Sequence, residues 1–133
     1  MTSDTRTTFI ARFEISGWEE TDLPGIPGSV AYGAKMRKTF TEGIDGASEG
    51  LFVSSGEEEG NRSYIAVERI TGTLPDGRSG AFTVHHGGLE SKPDTWFGHI
   101  VPGTGIDDLA GITGSAKISH DEIGAFFTIV LGE

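Results

Sequence analysis

The stretch VERITGTLPDGRSGAFTVHHG, from Val67 to Gly87, decides the fold of this 133-residue chain. Two segments in which apolar and polar residues alternate flank Pro75-Asp76-Gly77. Proline presets the φ angle of a turn, aspartate can bond to the backbone two residues on, and glycine adopts a positive φ without strain. The stretch therefore predicts a β-hairpin whose arms carry an acid, an arginine and two adjacent histidines.

The turn also predicts the register of the two arms. With a turn at residues 74–77 and Gly77 in a bulge, the facing pairs are Ile70 and Phe82, Glu68 and Val84, and Ala66 and His86. Successive side chains of a strand point to opposite faces. The bulkier and more apolar face, which we expect to lie inside, holds Tyr64, Ala66, Glu68, Ile70, Phe82, Val84 and His86. The other face holds Ile65, Val67, Arg69, Thr71, Ala81, Thr83 and His85.

Short alternating segments separated by turns make up the rest of the chain. The 21 glycines are unfavourable in helices, at roughly 1 kcal/mol each relative to alanine. Strand one is expected to bury Phe9, Ala11, Phe13 and Ile15, and strand two to alternate Tyr32, Ala34, Met36 and Phe40 with Gly33, Lys35, Arg37 and Thr39. Besides the hairpin arms, strands are predicted at about 7–18, 30–41, 47–53, 95–101, 109–119 and 125–131. Loops are predicted at 22–29 (a candidate lid), 54–61 and 87–93.

Eight short strands joined by turns are typical of an all-β antiparallel barrel or sandwich. A barrel leaves no exposed edge, and eight strands can enclose one small ligand. We therefore predict an eight-stranded antiparallel β-barrel. The length indicates one domain over residues 1–133, with residues 1–6 as a flexible tail.

Composition excludes several classes of partner. Twenty acidic residues against ten basic ones give a net charge of −10, which disfavours nucleic acid and anionic membrane surfaces. The absence of cysteine excludes disulfides and thiolate chemistry. Because no signal peptide or membrane-spanning stretch is visible, we expect a cytoplasmic protein.

Several motifs together resemble a known bacterial family. They are 67–74 (VERITGTL), 77–82 (GRSGAF), His86-Gly87, 101–105 (VPGTG) and 109–114 (LAGITG), with weaker matches at 17–20 (GWEE) and 38–40 (KTF). From about Phe13 onward the chain is similar to DUF3224, a family of unknown function. The resemblance implies a barrel like that of allene oxide cyclase, but it supplies no reaction. Residues 105–109 (GIDDL) replace an expected GTGEL run, and loop 23–29 is unusually rich in proline and glycine, so a changed ligand is implied.

The strongest candidate site is the pair Glu68 and His86. The register places them diagonally on neighbouring strands, about 7–8 Å apart between Cα atoms. A carboxylate beside an imidazole in an apolar cavity can act as a general acid/base pair, and we expect desolvation to raise the pKa of the carboxyl. The other interpretation is structural: the two groups satisfy each other, or pair with an arginine such as Arg37. The expected cavity wall is Phe13, Trp18, Tyr32, Met36, Tyr64, Phe82, Val84 and Trp96.

No metal or cofactor site is predicted. His85 and His86 point to opposite faces, so they cannot bind one metal from inside the barrel. His99 and His120 lie on other strands without ligand spacing to either. Gly103-Thr104-Gly105 has no following helix or lysine and is not a phosphate loop.

The sequence leaves three functions open. The first is a cofactor-independent cyclase or isomerase that folds a lipophilic small molecule, with Glu68 and His86 polarising it or transferring a proton. The second is a non-catalytic carrier or sensor for a hydrophobic ligand. The third is a structural barrel that forms homo-oligomers.

Overall fold

The structure, a computed structural model, describes residues 7–21 and 31–132. These residues form nine antiparallel strands and contain no helix. The strands are β1 (Thr8–Thr21), β2 (Ala31–Glu42), β3 (Asp45–Ser55), β4 (Ser63–Thr73), β5 (Ser79–Leu89), β6 (Lys92–Ile100), β7 (Ile106–Asp107), β8 (Gly114–His120) and β9 (Ala125–Leu131). The predicted tail 1–6 and the candidate lid 22–29 lie outside the described residues. In the part of the chain that is described, no helix suited to crossing a membrane is found.

Eight of the strands close into a barrel, which confirms the predicted architecture. Neighbours follow the order β4-β3-β2-β1-β9-β8-β6-β5, and pairing of β4 with β5 completes the ring. The ninth strand, β7, has two residues and extends the sheet beside β5 beyond the end of β6. The ring is unevenly paired: β3 and β4 match over eleven residue pairs, whereas β6 and β8 match only at His99 and Ser115.

The hairpin formed by β4 and β5 has the predicted register. Ile70 faces Phe82, Glu68 faces Val84, and Ala66 faces His86. In the turn, the Gly77 amide donates to the Leu74 carbonyl at 2.9 Å, and Gly77 has a φ of 92°. The Asp76 carboxylate accepts a hydrogen bond from the Arg78 amide at 3.0 Å. Local turn chemistry therefore fixes which side chains of β4 and β5 enter the barrel.

Strand β1 departs from simple alternation. Its pairing with β2 shifts between Ile15 and Gly17, so an extra residue enters β1 and the inward phase changes. Ile15 precedes the shift and lies opposite Lys38, so it lines the cavity, but at 52% exposure it is not buried with Phe13 as expected. Trp18 then takes an inward position near the end of the strand, where it contacts Tyr32 and Phe52.

Two predicted strand boundaries are wrong. The loop expected at 87–93 shrinks, since β5 continues to Leu89 and β6 begins at Lys92. Thr95 Oγ1 accepts from the Leu89 amide at 2.9 Å and holds this tight turn. The strand expected from Leu109 begins at Gly114 instead, because residues 106–112 form successive turns that bury Leu109 completely.

The two ends of the barrel interior differ. Towards the turn at 74–77 the interior is filled by large apolar side chains that include Phe40, Ile44, Ile70, Phe82 and Leu109. Towards the opposite end the inward side chains leave free space. The filled end supplies the hydrophobic core, and the other end forms a cavity.

The variant Gly98→Ala tests how closely β6 approaches β8. A Cβ there would lie 1.8 Å from the Ala116 carbonyl oxygen. We expect Gly98→Ala to lower the free energy of unfolding by about 1–3 kcal/mol, the range for overpacking, in urea denaturation. Gly17→Ala is the control, since its Cβ would meet only flexible Arg37 side-chain atoms at 3.3–3.5 Å. Equal losses in the two variants would contradict the close approach.

Candidate functional site

Small residues make room for polar side chains at mid-height in the barrel. Gly50 lies opposite Glu68 on the neighbouring strand, and Gly98 lies opposite His86. A Cβ at Gly50 would come within 2.5 Å of the Glu68 Cβ, and one at Gly98 within 3.3 Å of the His86 Cβ. The two glycines therefore leave the space that the carboxylate and the imidazole occupy.

Five side chains form one buried hydrogen-bonded network, which we call the Glu68 network: Lys38, Ser48, Tyr64, Glu68 and His86. Ser48 Oγ donates to Glu68 Oε1 at 2.7 Å, and Lys38 Nζ donates to Glu68 Oε2 at 2.8 Å. His86 Nε2 lies 2.5 Å from the same Oε2. The Tyr64 hydroxyl lies 2.9 Å from His86 Nδ1. The network thus runs from a buried ammonium through a carboxylate and an imidazole to a phenol.

The carboxylate is ionised despite its burial. Glu68 is 1% exposed, and burial alone would raise its pKa. The hydrogen bond from His86 and the positive charge of Lys38 lower the pKa to about 2 instead. Burial lowers the pKa of Lys38, and the attraction of Glu68 only partly opposes this. Desolvation acts in the expected direction, but the hydrogen bond from His86 and the charge of Lys38 outweigh it, so the net pKa of Glu68 is lowered rather than raised.

The protonation of His86 follows from its partners. Burial lowers the pKa of His86, which favours the neutral imidazole at neutral pH. The Glu68 carboxylate can only accept, so Nε2 carries the ring proton, and Nδ1 accepts from the Tyr64 hydroxyl. Burial, then the nearby Glu68 charge, raises the pKa of Tyr64. Tyr64 is therefore a neutral phenol with an oxygen lone pair that remains available.

The network borders an apolar cavity of about 260 Å³. Its wall contains Phe13, Ile15, Trp18, Met36, Lys38, Phe52, Tyr64, His86, Trp96, Ile118, His120 and Ala125. Beyond it lies a wider vestibule of about 680 Å³, with Tyr32, Arg62 and Glu90 on its wall. Phe52, Tyr64, Trp96 and His120 line both spaces and so mark their boundary.

The structure brings together most of the residues predicted for the site. Glu68 and His86 meet, and Phe13, Trp18, Met36, Tyr64 and Trp96 line the cavity. Tyr32 lines the vestibule and accepts a hydrogen bond from Trp18 Nε1 at 2.7 Å. Phe82 and Val84 are corrected: at 1% and 0% exposure they belong to the packed core instead, because large side chains fill that end of the barrel.

The principal cation of the network was not predicted. Arg37, the suggested partner, instead pairs with Glu49 at 2.8 Å, where both side chains are more than half exposed. Lys38 takes that role at 2% exposure. The alternation of Ala34, Met36 and Phe40 already placed position 38 on the inner face. A lysine on the inner face of β2 was therefore the sequence signal for the buried cation. No comparable signal in the sequence marks Ser48.

The other histidines lie away from the Glu68 network. His85 points outward, as predicted, and lies directly opposite His99 on β6, with 5.4 Å between the ring centroids. The sequence did not predict this proximity because it did not fix the register of β6. His120 packs against Trp96 at the cavity wall. Among the described residues, no three His, Cys, Asp or Glu side chains cluster as metal ligands.

Fold and site define a small closed antiparallel β-barrel with an internal apolar cavity and a buried ionic network. The chain matches the family model described as "Protein of unknown function (DUF3224)" over residues 9–130, and it belongs to that family. The crystal structure of a DUF3224 protein of unknown function from Shewanella oneidensis MR-1 is similar, with a TM-score of 0.80, 22% identity and 96% of each chain covered. No curated protein matches the chain. The likeness to the allene oxide cyclase barrel stays a prediction.

Removing the buried cation should destabilise the protein strongly. Lys38→Met leaves the Glu68 carboxylate without its principal cation, and we expect a loss of about 3–5 kcal/mol in the free energy of unfolding. The double variant Lys38→Met/Glu68→Gln should recover much of that loss, since the charge is gone as well. Urea denaturation at neutral pH measures both, with exposed Lys35→Met as the control. A loss in Lys38→Met no larger than in the control would contradict this account.

Acid should destabilise the protein through His86. The unfolded imidazole binds a proton below pH 6.5, its ordinary pKa, whereas the folded one has a lowered pKa and resists protonation. The free energy of unfolding should therefore fall as pH drops below 6.5, by at most about 1.4 kcal/mol per pH unit. Unfolding curves between about pH 7.5 and 5 measure the slope. His86→Gln should flatten it; an unchanged slope would show that His86 is not its source.

Proposed function

We propose that this barrel binds an apolar small molecule in its cavity and isomerises it by proton transfer, without a cofactor. The observation that carries the proposal is the Tyr64 hydroxyl, which lies at the cavity wall and is bonded to His86 Nδ1. The wall is otherwise mostly apolar and aromatic. Such a surface suits a lipophilic ligand with one polar group directed at Tyr64.

The network provides a route for a proton. A carbon acid in the cavity gives its proton to the Tyr64 oxygen while the phenol proton passes to His86 Nδ1. Glu68, at 2.5 Å from Nε2, stabilises the imidazolium that forms. The Tyr64 hydroxyl then donates a proton to a different carbon of the resulting carbanion while His86 Nδ1 returns its proton to the Tyr64 oxygen, so no proton is gained or lost overall. General acid–base catalysis of this kind contributes about 10²–10⁴-fold.

The network divides the roles of the two predicted residues. Both Glu68 oxygens are engaged, Oε1 by Ser48 and Oε2 by Lys38 and His86. Glu68 is accordingly proposed as the positioning residue, which fixes the imidazole tautomer. Tyr64 is proposed as the group that contacts the ligand, with His86 as its proton partner.

A non-catalytic carrier is the second candidate function. It is favoured by the completeness of the network, since no buried side-chain donor or acceptor of the described residues lacks a partner. A network in which every buried polar atom has at least one partner can serve only to hold the barrel open around a ligand. In that case the Tyr64 hydroxyl anchors a polar group and no proton moves.

Deuterium exchange separates the two candidates. We expect the protein in D₂O to place deuterium on cyclohex-3-en-1-one, which has acidic C–H bonds next to its carbonyl, and mass spectrometry measures the incorporation. Tyr64→Phe should slow the exchange by about 100-fold or more. Tyr32→Phe, the matched control at the vestibule, should leave the rate unchanged. Glu68→Gln and His86→Ala should also slow the exchange.

Binding is measured separately with 1-anilinonaphthalene-8-sulfonate, whose fluorescence rises in apolar sites. Binding of this dye that cyclohex-3-en-1-one displaces, without deuterium exchange, would support the carrier and contradict the isomerase. Exchange that is equally fast in Tyr64→Phe would contradict the proton route. Native mass spectrometry of the purified protein identifies any ligand that copurifies.

A further inference from the structure

Lys38 has unused bonding capacity inside the barrel. An ammonium has three N–H donors, and the one hydrogen-bond acceptor found for Lys38 Nζ among the described residues is Glu68 Oε2 at 2.8 Å. The nitrogen otherwise lies over two aromatic rings, 4.1 Å from the Phe13 centroid and 4.8 Å from the Phe127 centroid. Lys38, Phe13 and His86 are all part of the cavity wall. The amine is therefore buried at the edge of an apolar space.

We propose that Lys38 forms an imine with the carbonyl group of an apolar aldehyde or ketone bound in the cavity. The inference deepens the proposed function, on which it rests for the ligand's entry into the cavity, by naming the ligand's reactive group. A buried lysine is the usual means by which proteins form such adducts, because desolvation favours the free amine. The lowered pKa of Lys38 agrees with this.

The ion pair that exists before the reaction is restored in the product. The ammonium gives one proton to Glu68, and the free amine attacks the carbonyl carbon to form a carbinolamine. The carbinolamine hydroxyl takes the proton back from Glu68 and leaves as water, so a C=N bond replaces the C=O bond. The product is a protonated imine with one N–H, which can donate to Glu68 as Lys38 does now. The loss of the other two N–H bonds breaks no hydrogen bond found among the described residues.

The lining and the volume of the cavity favour one class of carbonyl compound. Phe13, Trp18 and Phe52 line it, and its volume of about 260 Å³ is on the small side for a ligand pocket. A single aromatic ring with a short unsaturated chain matches such a space.

Reductive trapping tests the proposal on the unmodified protein. The chain is incubated with trans-cinnamaldehyde and sodium cyanoborohydride at neutral pH, and peptide mapping by mass spectrometry locates the reduced adducts. The other lysines of the chain, Lys35, Lys92 and Lys117, are exposed and act as internal controls. We expect labelling of Lys38 to exceed that of each exposed lysine severalfold, because burial favours the free amine over the ammonium.

Two variants and a non-carbonyl ligand complete the test. Lys38→Arg keeps the charge but cannot form an imine, so the main adduct should be lost, whereas Lys35→Arg should retain it. Cinnamyl alcohol, which has no carbonyl, should quench the fluorescence of Trp18 and Trp96. Quenching by the alcohol with labelling confined to exposed lysines would overturn the imine and leave the proposed cavity binding intact. Neither quenching nor labelling would overturn both.

Discussion

A single buried negative charge governs the arrangement of this barrel's interior. A carboxylate transferred from water to an apolar interior without partners would cost far more than the stability of a typical domain. Glu68 is tolerated because Lys38, His86 and Ser48 come to it from β2, β5 and β3. Each of these strands is fixed in register relative to β4 by the requirement that its polar side chain meet the carboxylate. A one-residue slip would turn that side chain to solvent.

The same requirement explains why free space occurs where it does. Polar side chains cannot interdigitate as aliphatic ones do, and the network is flanked by Gly50 and Gly98. Aromatic side chains then surround the opening, with Phe52 and Tyr64 stacked at a centroid distance of 5.4 Å. The interior therefore changes from a packed core to a polar layer and then to an aromatic-lined cavity.

Much of this arrangement was accessible from sequence, and the limits have physical causes. The hairpin register was correct because Leu74 to Gly77 encode one turn type, and a two-residue period then carries Glu68 and His86 to one face. Beyond the reach of that turn, register depends on contacts between distant segments, so the approach of His99 to His85 was missed. The bulge between Ile15 and Gly17 changed the phase of the end of β1 without a local signal in the sequence. Lys38 was not predicted as the partner of Glu68, although the alternation of β2 placed it on the inner face. An isolated lysine is rarely buried, and its partner carboxylate lies thirty residues away in the chain.

The junction between β6 and β8, which we call the seam, is the most sparsely paired junction of the barrel. Every other strand junction of the ring is held by at least five matched residue pairs, whereas this one has the single match of His99 and Ser115. Trp96 and Ile118, on the two sides of the seam, are part of the cavity wall. A wall joined so lightly can widen with little loss of ladder hydrogen bonding. The largest molecule that could enter the cavity is then limited by the compliance of this junction as well as by the space present at rest.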